Sequence, residues 1–139
     1  MAKQDKEQGT EGAQCGTKGE LALRTTLLPK DTNPAGTIFG GVILSLIDQA
    51  GEIAMRRINP HRRYVTVAMD SIKFLAPVFV GDLISLYTCS PQVGRTSVSV
   101  QVDVIVERRD RPGEEVTVTV AHVTYVAIGG DGKPIPVAG

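Results

Sequence analysis

The stretch DTNPAGTIFGGVILSLIDQAGEIAMRRI, residues 31–58, passes from turn chemistry into a helical pattern. Asp31 and Asn33 carry side chains that bond back to nearby backbone, Pro34 fixes its φ, and Gly36 tolerates conformations closed to other residues. From Gly40 to about Ile58 the period becomes helical. Val42, Ile43, Leu44, Leu46, Ile47, Ala50, Ile53, Ala54 and Met55 cover most of the circumference, while Ser45, Asp48, Gln49, Glu52 and Arg56 recur at spacings of three and four and form one narrow polar stripe. Such a helix is mostly buried, so the rest of the chain must supply a surface that covers it.

Working outward, Leu21 to Leu28 reads as a first strand. After Pro60 the period changes to two: Tyr64 to Phe74, Leu83 to Cys89, Thr96 to Glu107 and Glu115 to Ile128 are rich in Val, Thr, Ile, Ser and Tyr. Val98, Val100, Val102, Val104 and Val106 alternate with Ser97, Ser99, Gln101, Asp103 and Ile105, the pattern of a half-buried antiparallel strand. Pro77 with Gly81 and Asp82, Pro91 with Gly94, and Pro112 with Gly113 mark the breaks. The order β, α, β, β, β, β admits a compact α+β solution, an antiparallel sheet curled around one helix.

With 139 residues the chain has room for one core and none for separate cofactor and substrate domains. Lys plus Arg equal Asp plus Glu at 15 each, which excludes a protein built to coat nucleic acid, since phosphate binding needs a basic excess. Residues 1–18 mix polar residues and glycine without an apolar run; they read as a disordered lead-in to a single domain at 19–139, not as a signal peptide. Apolar runs elsewhere are too short to span a membrane. Cys15 and Cys89 stand outside any zinc-binding spacing and read as two reduced thiols of a cytoplasmic protein.

The segment from Asp31 to Gly51 closely resembles the loop and central helix of hotdog-fold acyl-CoA thioesterases, in particular the short bacterial YciA-like enzymes and the brain-type acyl-CoA hydrolases. FLAPVFVGD (Phe74 to Asp82), GRTSVSVQV (Gly94 to Val102) and YVAIGGDGKPIPV at the C-terminal end resemble the same group in the same order, so the likeness covers about Leu21 to Val137. It implies the hotdog fold and hydrolysis of fatty acyl-CoA to free acid and coenzyme A, with no metal and no cofactor. Two positions depart from the wider pattern: Phe39 stands where many hotdog thioesterases carry His, and Ala76 where relatives often carry Arg.

Gly40 and Gly41 open the helix, where unpaired N–H groups and a partial positive charge point outward. They either hold the oxyanion of a thioester or only let the chain turn and pack closely. Asp48, by residue type a solvated carboxylate on a polar stripe, is by resemblance the family's catalytic residue, acting as general base on water or as direct nucleophile. Asn33 is a turn former that, by resemblance, approaches the site from a partner subunit. Gly40 and Asp48 are eight residues apart, so about 12 Å separates them along a straight helix. Both cannot serve one carbonyl carbon, and a two-fold homodimer pairing Gly40 of one subunit with Asp48 of the other resolves this. The resemblance extends the expectation to a trimer of dimers.

The coenzyme A phosphates need cations. Arg62 and Arg63, just beyond the helix, Arg95 with Thr96 and Ser97, Thr66, and more weakly Lys133 are the expected contacts. Arg56 and Arg57 suit the helix C-terminal dipole, and Arg108, Arg109 and Arg111, interleaved with acids, read as a solvated loop. His122 reads as a structural strand residue, which weakens a dehydratase reading. A non-catalytic acyl-CoA sensor and an interaction module on the same fold are the rival expectations.

Overall fold

A computed structural model describes residue 15 and residues 18–139 of the chain. Among these the elements run β1 (Glu20–Thr25), a short 3-10 turn (Pro29–Asp31), α1 (Gly40–Ile58), β2 (Arg63–Phe74), β3 (Leu83–Val93), β4 (Ser97–Glu107) and β5 (Glu115–Ile128). The strands form one antiparallel sheet in the order β1-β3-β4-β5-β2. This is the hotdog arrangement expected from the sequence, with α1 packed on one face of a sheet that stays open. Most of the expected lead-in, residues 1–14, 16 and 17, lies outside the described residues.

The core is the seam between α1 and the sheet. Ile43, Leu46, Ile47, Ala50, Ala54 and Met55 meet Val98, Val100, Val102, Val104 and Val106 of β4, Ile84 and Leu86 of β3, and Ala121, Val123, Tyr125 and Ala127 of β5. The alternation of β4 thus works as read for its valines. Its other face is half-exposed at Ser97 and Ser99, but Gln101, Asp103 and Ile105 are also buried, where Cys15 packs over the outer face with Tyr87, Ile105 and Cys89. A register shift opposite Val104/Ile105 also turns Val118 inward, into the core with Ala121 and Val123.

Two expectations fail here. Cys15 and Cys89 are not reduced thiols but form a disulfide, with Cα atoms 5.8 Å apart across a sequence separation of 74. Spacing alone hides this pair, since it forms only when Cys15 comes to lie against β3. Disulfides are rare in reducing compartments, so the cytoplasmic expectation loses the support it took from free cysteines. Arg108, read as part of a solvated loop, is instead mostly buried: it bonds the carboxylate of Asp82 at 2.5 Å and the carbonyl oxygen of Pro77 at 3.1 Å, and stacks over Phe79. Asp82 accepts the Phe79 N–H within the turn where Gly81 takes a φ of 102°, and a buried carboxylate there requires a cation, which the neighbouring end of β4 supplies. Arg109 and Arg111 remain exposed.

β2 is an edge strand, paired only with β5 among the described strands, and it leaves Val65, Val67 and Phe74 substantially exposed beside Leu75 and Phe39. An open apolar edge of this kind invites pairing with another strand. At the other end, the C-terminal tail is pinned by Asn59 Nδ2 to the Val137 carbonyl (2.6 Å), by the Val137 N–H to the Arg95 carbonyl (2.8 Å), and by Arg62 to the Pro136 and Ala138 carbonyls.

Reduction of the disulfide releases a closed loop of some seventy residues, and loop-closure entropy sets its contribution at about 4 kcal/mol. Urea unfolding with and without reductant measures this. The expected result is a stability lower by about 2–4 kcal/mol on reduction, with no titratable thiol in the unreduced, unfolded chain; equal stability and two reactive thiols would contradict it.

Candidate active site

Asp48 sits at mid-helix on the polar stripe of α1, half-buried where the helix faces β2 and β5. Its Oδ1 accepts two hydrogen bonds, from Thr66 Oγ1 of β2 at 2.7 Å and from the Tyr125 hydroxyl of β5 at 3.0 Å. The same hydroxyl lies 2.9 Å from the Asp48 main-chain carbonyl oxygen. Burial first, and then the Asp48 carboxylate beside it, push the Tyr125 phenol well above its usual range, so it remains protonated and donates. Asp48 Oδ2 makes no hydrogen bond to a described residue. The stripe is therefore more than a solvated face: at Asp48 it holds a carboxyl group against the sheet through two bonds to Oδ1.

Gly40 and Gly41 are the first two residues of α1, with Phe39 as N-cap and no side chain capping the end. Their N–H groups make no hydrogen bond among the described residues, while Val42 and Ile43 already bond back to Phe39. Neither glycine adopts a positive φ. A Cβ added at Gly41 would meet nothing within 4 Å, and one at Gly40 would make ordinary contact with the Phe74 ring at 3.4 Å. A side chain would therefore fit at either position, with the Phe74 ring as its neighbour at Gly40. Gly40 opens onto a cleft of about 410 Å³ walled by Ile38, Ile43, Phe74, Ala76, Val78 and Thr119. Asp48 is not part of this cleft.

Asn33 is brought to neither group. Its Oδ1 accepts the Ala35 and Thr37 N–H groups at 2.9 and 3.1 Å, and its Nδ2 donates to Thr37 Oγ1 at 2.9 Å, so within one protomer it builds the loop that delivers the chain to Gly40. Asp31 steadies the start of that loop: its carboxylate accepts the Leu28 N–H, a bond that holds its pKa below the usual carboxylate range.

The expected coenzyme A contacts scatter. Thr66 donates its hydroxyl hydrogen to Asp48 from β2. Arg95 lines a second groove of about 520 Å³ with Arg57, Ile58, Val93 and the tail residues Pro136 to Ala138. Arg62 is engaged by the tail that walls this groove, and Arg63 is exposed at the start of β2. Thr96 and Ser97 use their carbonyls in the sheet and hairpin, accepting from Ala127 and Gly94, and Lys133 sits in the exposed turn closed by Gly129 and Asp131. Arg57, assigned by sequence to the helix dipole, pairs with Glu20 at 2.8 Å and reaches the groove.

Three residues escaped the sequence reading. Tyr125 hid among the apolar inward positions of β5, and Gly51 among the helix residues, although a glycine three residues after Asp48 shares its side of the helix. Thr119 lies in the wall of the Gly40 cleft, 1% exposed, and its hydroxyl has no hydrogen-bond partner among the described residues. Because an unpaired buried hydroxyl costs about 1–3 kcal/mol, Thr119→Val is expected to raise stability by about 1 kcal/mol in urea unfolding; a loss of that size would show that the hydroxyl is satisfied in solution.

The family described as thioesterase superfamily matches residues 35–113. The acyl-CoA thioester hydrolase YciA of Salmonella typhimurium is 41% identical over 121 residues, covering 86% of this chain and 90% of that protein. Among solved structures, a hexameric hotdog-fold thioesterase of Campylobacter jejuni is 48% identical with a TM-score of 0.79, covering 86% of this chain and 91% of that one. A hexameric broad-specificity acyl-coenzyme A thioesterase, crystallised as an aspartate-to-alanine variant, is 40% identical with a TM-score of 0.81 and 86% coverage of both chains.

Proposed function

The chain belongs to the thioesterase superfamily, and we propose that it is an acyl-CoA thioesterase whose active site is completed across a two-fold dimer. The observation that carries this is the pairing of an anchored carboxylate with an uncapped helix N-terminus on the same rigid helix. Asp48 activates water or attacks the thioester carbon directly through Oδ2, and the N–H groups of Gly40 and Gly41 receive the carbonyl oxygen as it gains charge. One preorganised donor of this kind lowers a barrier by about 3 kcal/mol. Attack by water yields the free acid as the coenzyme A thiolate leaves, whereas direct attack expels the thiolate to form an anhydride on Asp48 that a water then hydrolyses to the free acid, restoring the carboxylate.

Register supports the dimer. Asp48 is tied to Thr66, and Gly40 lies over Phe74, so the two groups stand over different parts of β2. If the open β2 edges of two protomers pair antiparallel about a two-fold near Asp70, Thr66 of one protomer comes opposite the partner's Phe74. The same operation brings Asp48 toward the partner's Gly40 and covers the exposed Val65, Val67 and Phe74. Asn33, on the loop before Gly40, then approaches Asp48 from the partner. The cleft beyond Gly40 takes the acyl chain. The groove walled by Arg95, Arg57 and the tail, with Arg62, Arg63, Thr96, Ser97 and Lys133 around it, meets the phosphates. The solved relatives are hexamers, and a trimer of dimers is the assembly proposed here.

Thiol release from a panel of acyl-CoAs tests the activity. The unmutated protein is expected to turn over, and Asp48→Ala to lower kcat by 100-fold or more, on the order of the loss when a catalytic acid–base group is removed, while acyl-CoA still binds. Binding without turnover in the unmutated protein would instead identify a sensor. A second test places Val67→Lys on the apolar edge. Light scattering is expected to find a folded monomer, with thiol release falling in proportion to the dimer lost; a monomer with full turnover would overturn the composite site.

A further inference from the structure

Asp48, Gly51 and Tyr125 form a unit that neither periodicity nor spacing accounts for. Gly51 is buried in the middle of a helix, where glycine weakens the element by about 1 kcal/mol relative to alanine, and its φ does not require glycine. A Cβ at this position would fall on top of the Tyr125 hydroxyl and within 2.9 Å of two ring carbons. The phenol therefore occupies the space that any other residue at 51 would fill. Tyr125 is itself 1% exposed, and its ring fixes where the hydroxyl ends. That end is shared between the main-chain carbonyl and the Oδ1 of Asp48, one turn earlier on the same helix.

We propose that Tyr125 is a positioning residue for Asp48, admitted by Gly51, and that it works with Thr66 to commit Oδ1 as the held oxygen and leave Oδ2 as the reacting one. This rests on the reading of Asp48 as the group that acts on the thioester. The physical case is geometric. An aspartate on a helix surface otherwise rotates about χ1 and χ2, and each rotation takes its outward oxygen away from any fixed carbonyl. Two donors from two different strands, β2 and β5, converge on one oxygen and remove that freedom. A hydrogen bond to a charged acceptor is stronger than one to a neutral carbonyl, so the shared phenol hydrogen favours the carboxylate. Because the hydroxyl also touches the backbone at residue 48, ring and helix move together, and the carboxylate is set relative to the helix axis that carries Gly40.

Tyr125→Phe keeps the ring and removes only the hydroxyl. It is expected to lower kcat about tenfold, the effect of losing one hydrogen bond to a charged group, with KM changed less than twofold. Gly51→Ala is expected to lower kcat at least as much, because it expels the ring as well as the hydroxyl. The decisive comparison is non-additivity. In the Tyr125→Phe background a Cβ at 51 still meets the ring carbons, but the hydrogen bond to Asp48 is already absent, so Gly51→Ala should cost kcat no more than about threefold further. Thermal unfolding and sizing accompany each variant, and only variants that assemble like the unmutated protein are scored; if Gly51→Ala fails to assemble, Tyr125→Phe, which keeps the buried ring, decides the question alone. Full kcat in Tyr125→Phe while Asp48→Ala is inactive would overturn the positioning role and leave the catalytic reading of Asp48 intact. Full kcat in Asp48→Ala would overturn that reading itself. A fall confined to KM would likewise contradict the proposal, because it would place Tyr125 in substrate binding.

Discussion

Gly40 and Asp48 ride on one unbroken helix, and an α-helix does not bend to bring two of its own residues together. Eight residues fix about 12 Å between them, four times the reach of a hydrogen bond. Everything proposed for this chain descends from that separation. The cleft at Gly40 and the carboxylate at Asp48 are separate features of one protomer, and in the proposed mechanism neither suffices alone. In the proposed dimer the free edge of β2 is the surface through which a second copy joins them, and that copy would cover apolar side chains that the protomer leaves exposed.

The fold was largely legible because the sequence is locally consistent with it. Helical period runs from Gly40 to Ile58 without a proline, and a strict alternation of valines in β4 sets the face that receives α1. What could not be read was contact across long sequence distances. Periodicity says that Tyr125 points inward but not that it ends at Asp48, and composition counts Gly51 as a tolerated flaw in a helix rather than as room made for a phenol. Thr66 was noticed as a polar residue, but not its bond to Asp48, since nothing local tells which helix residue a strand lies beneath. The burial of Asp82 and Arg108 escaped for the same reason: each looks like surface charge until the ends of β3 and β4 are set side by side.

The cysteines make a related point about the outer face of the sheet. Gln101 and Asp103 alternate with valines as solvent-facing residues would, yet both are buried together with Tyr87, Ile105 and Cys15. The Cys15–Cys89 bond fastens residue 15 there, and so a residue from a stretch whose composition gave no hint of packing lies against the second face of β4. A chain with two cysteines far apart offers the sequence reader only a choice between free thiols and a pair, and the choice turns on a Cα separation that only the folded backbone supplies.

The central claim is that one site draws on two protomers, and complementation measures it directly. Gly40→Pro removes the N–H at the first helical position, where proline suits the backbone and follows a Phe39 already in an extended conformation (ψ 136°). Asp48→Ala removes the carboxylate. Each homo-oligomer is expected to be inactive. When the two are unfolded, mixed equally and refolded together, half of the dimers pair unlike chains, and each of these holds one site with both groups intact. The account predicts recovery of about a quarter of the unmutated thiol-release rate, the fraction of intact sites in a two-fold assembly. A mixture no more active than its separate parents would contradict it.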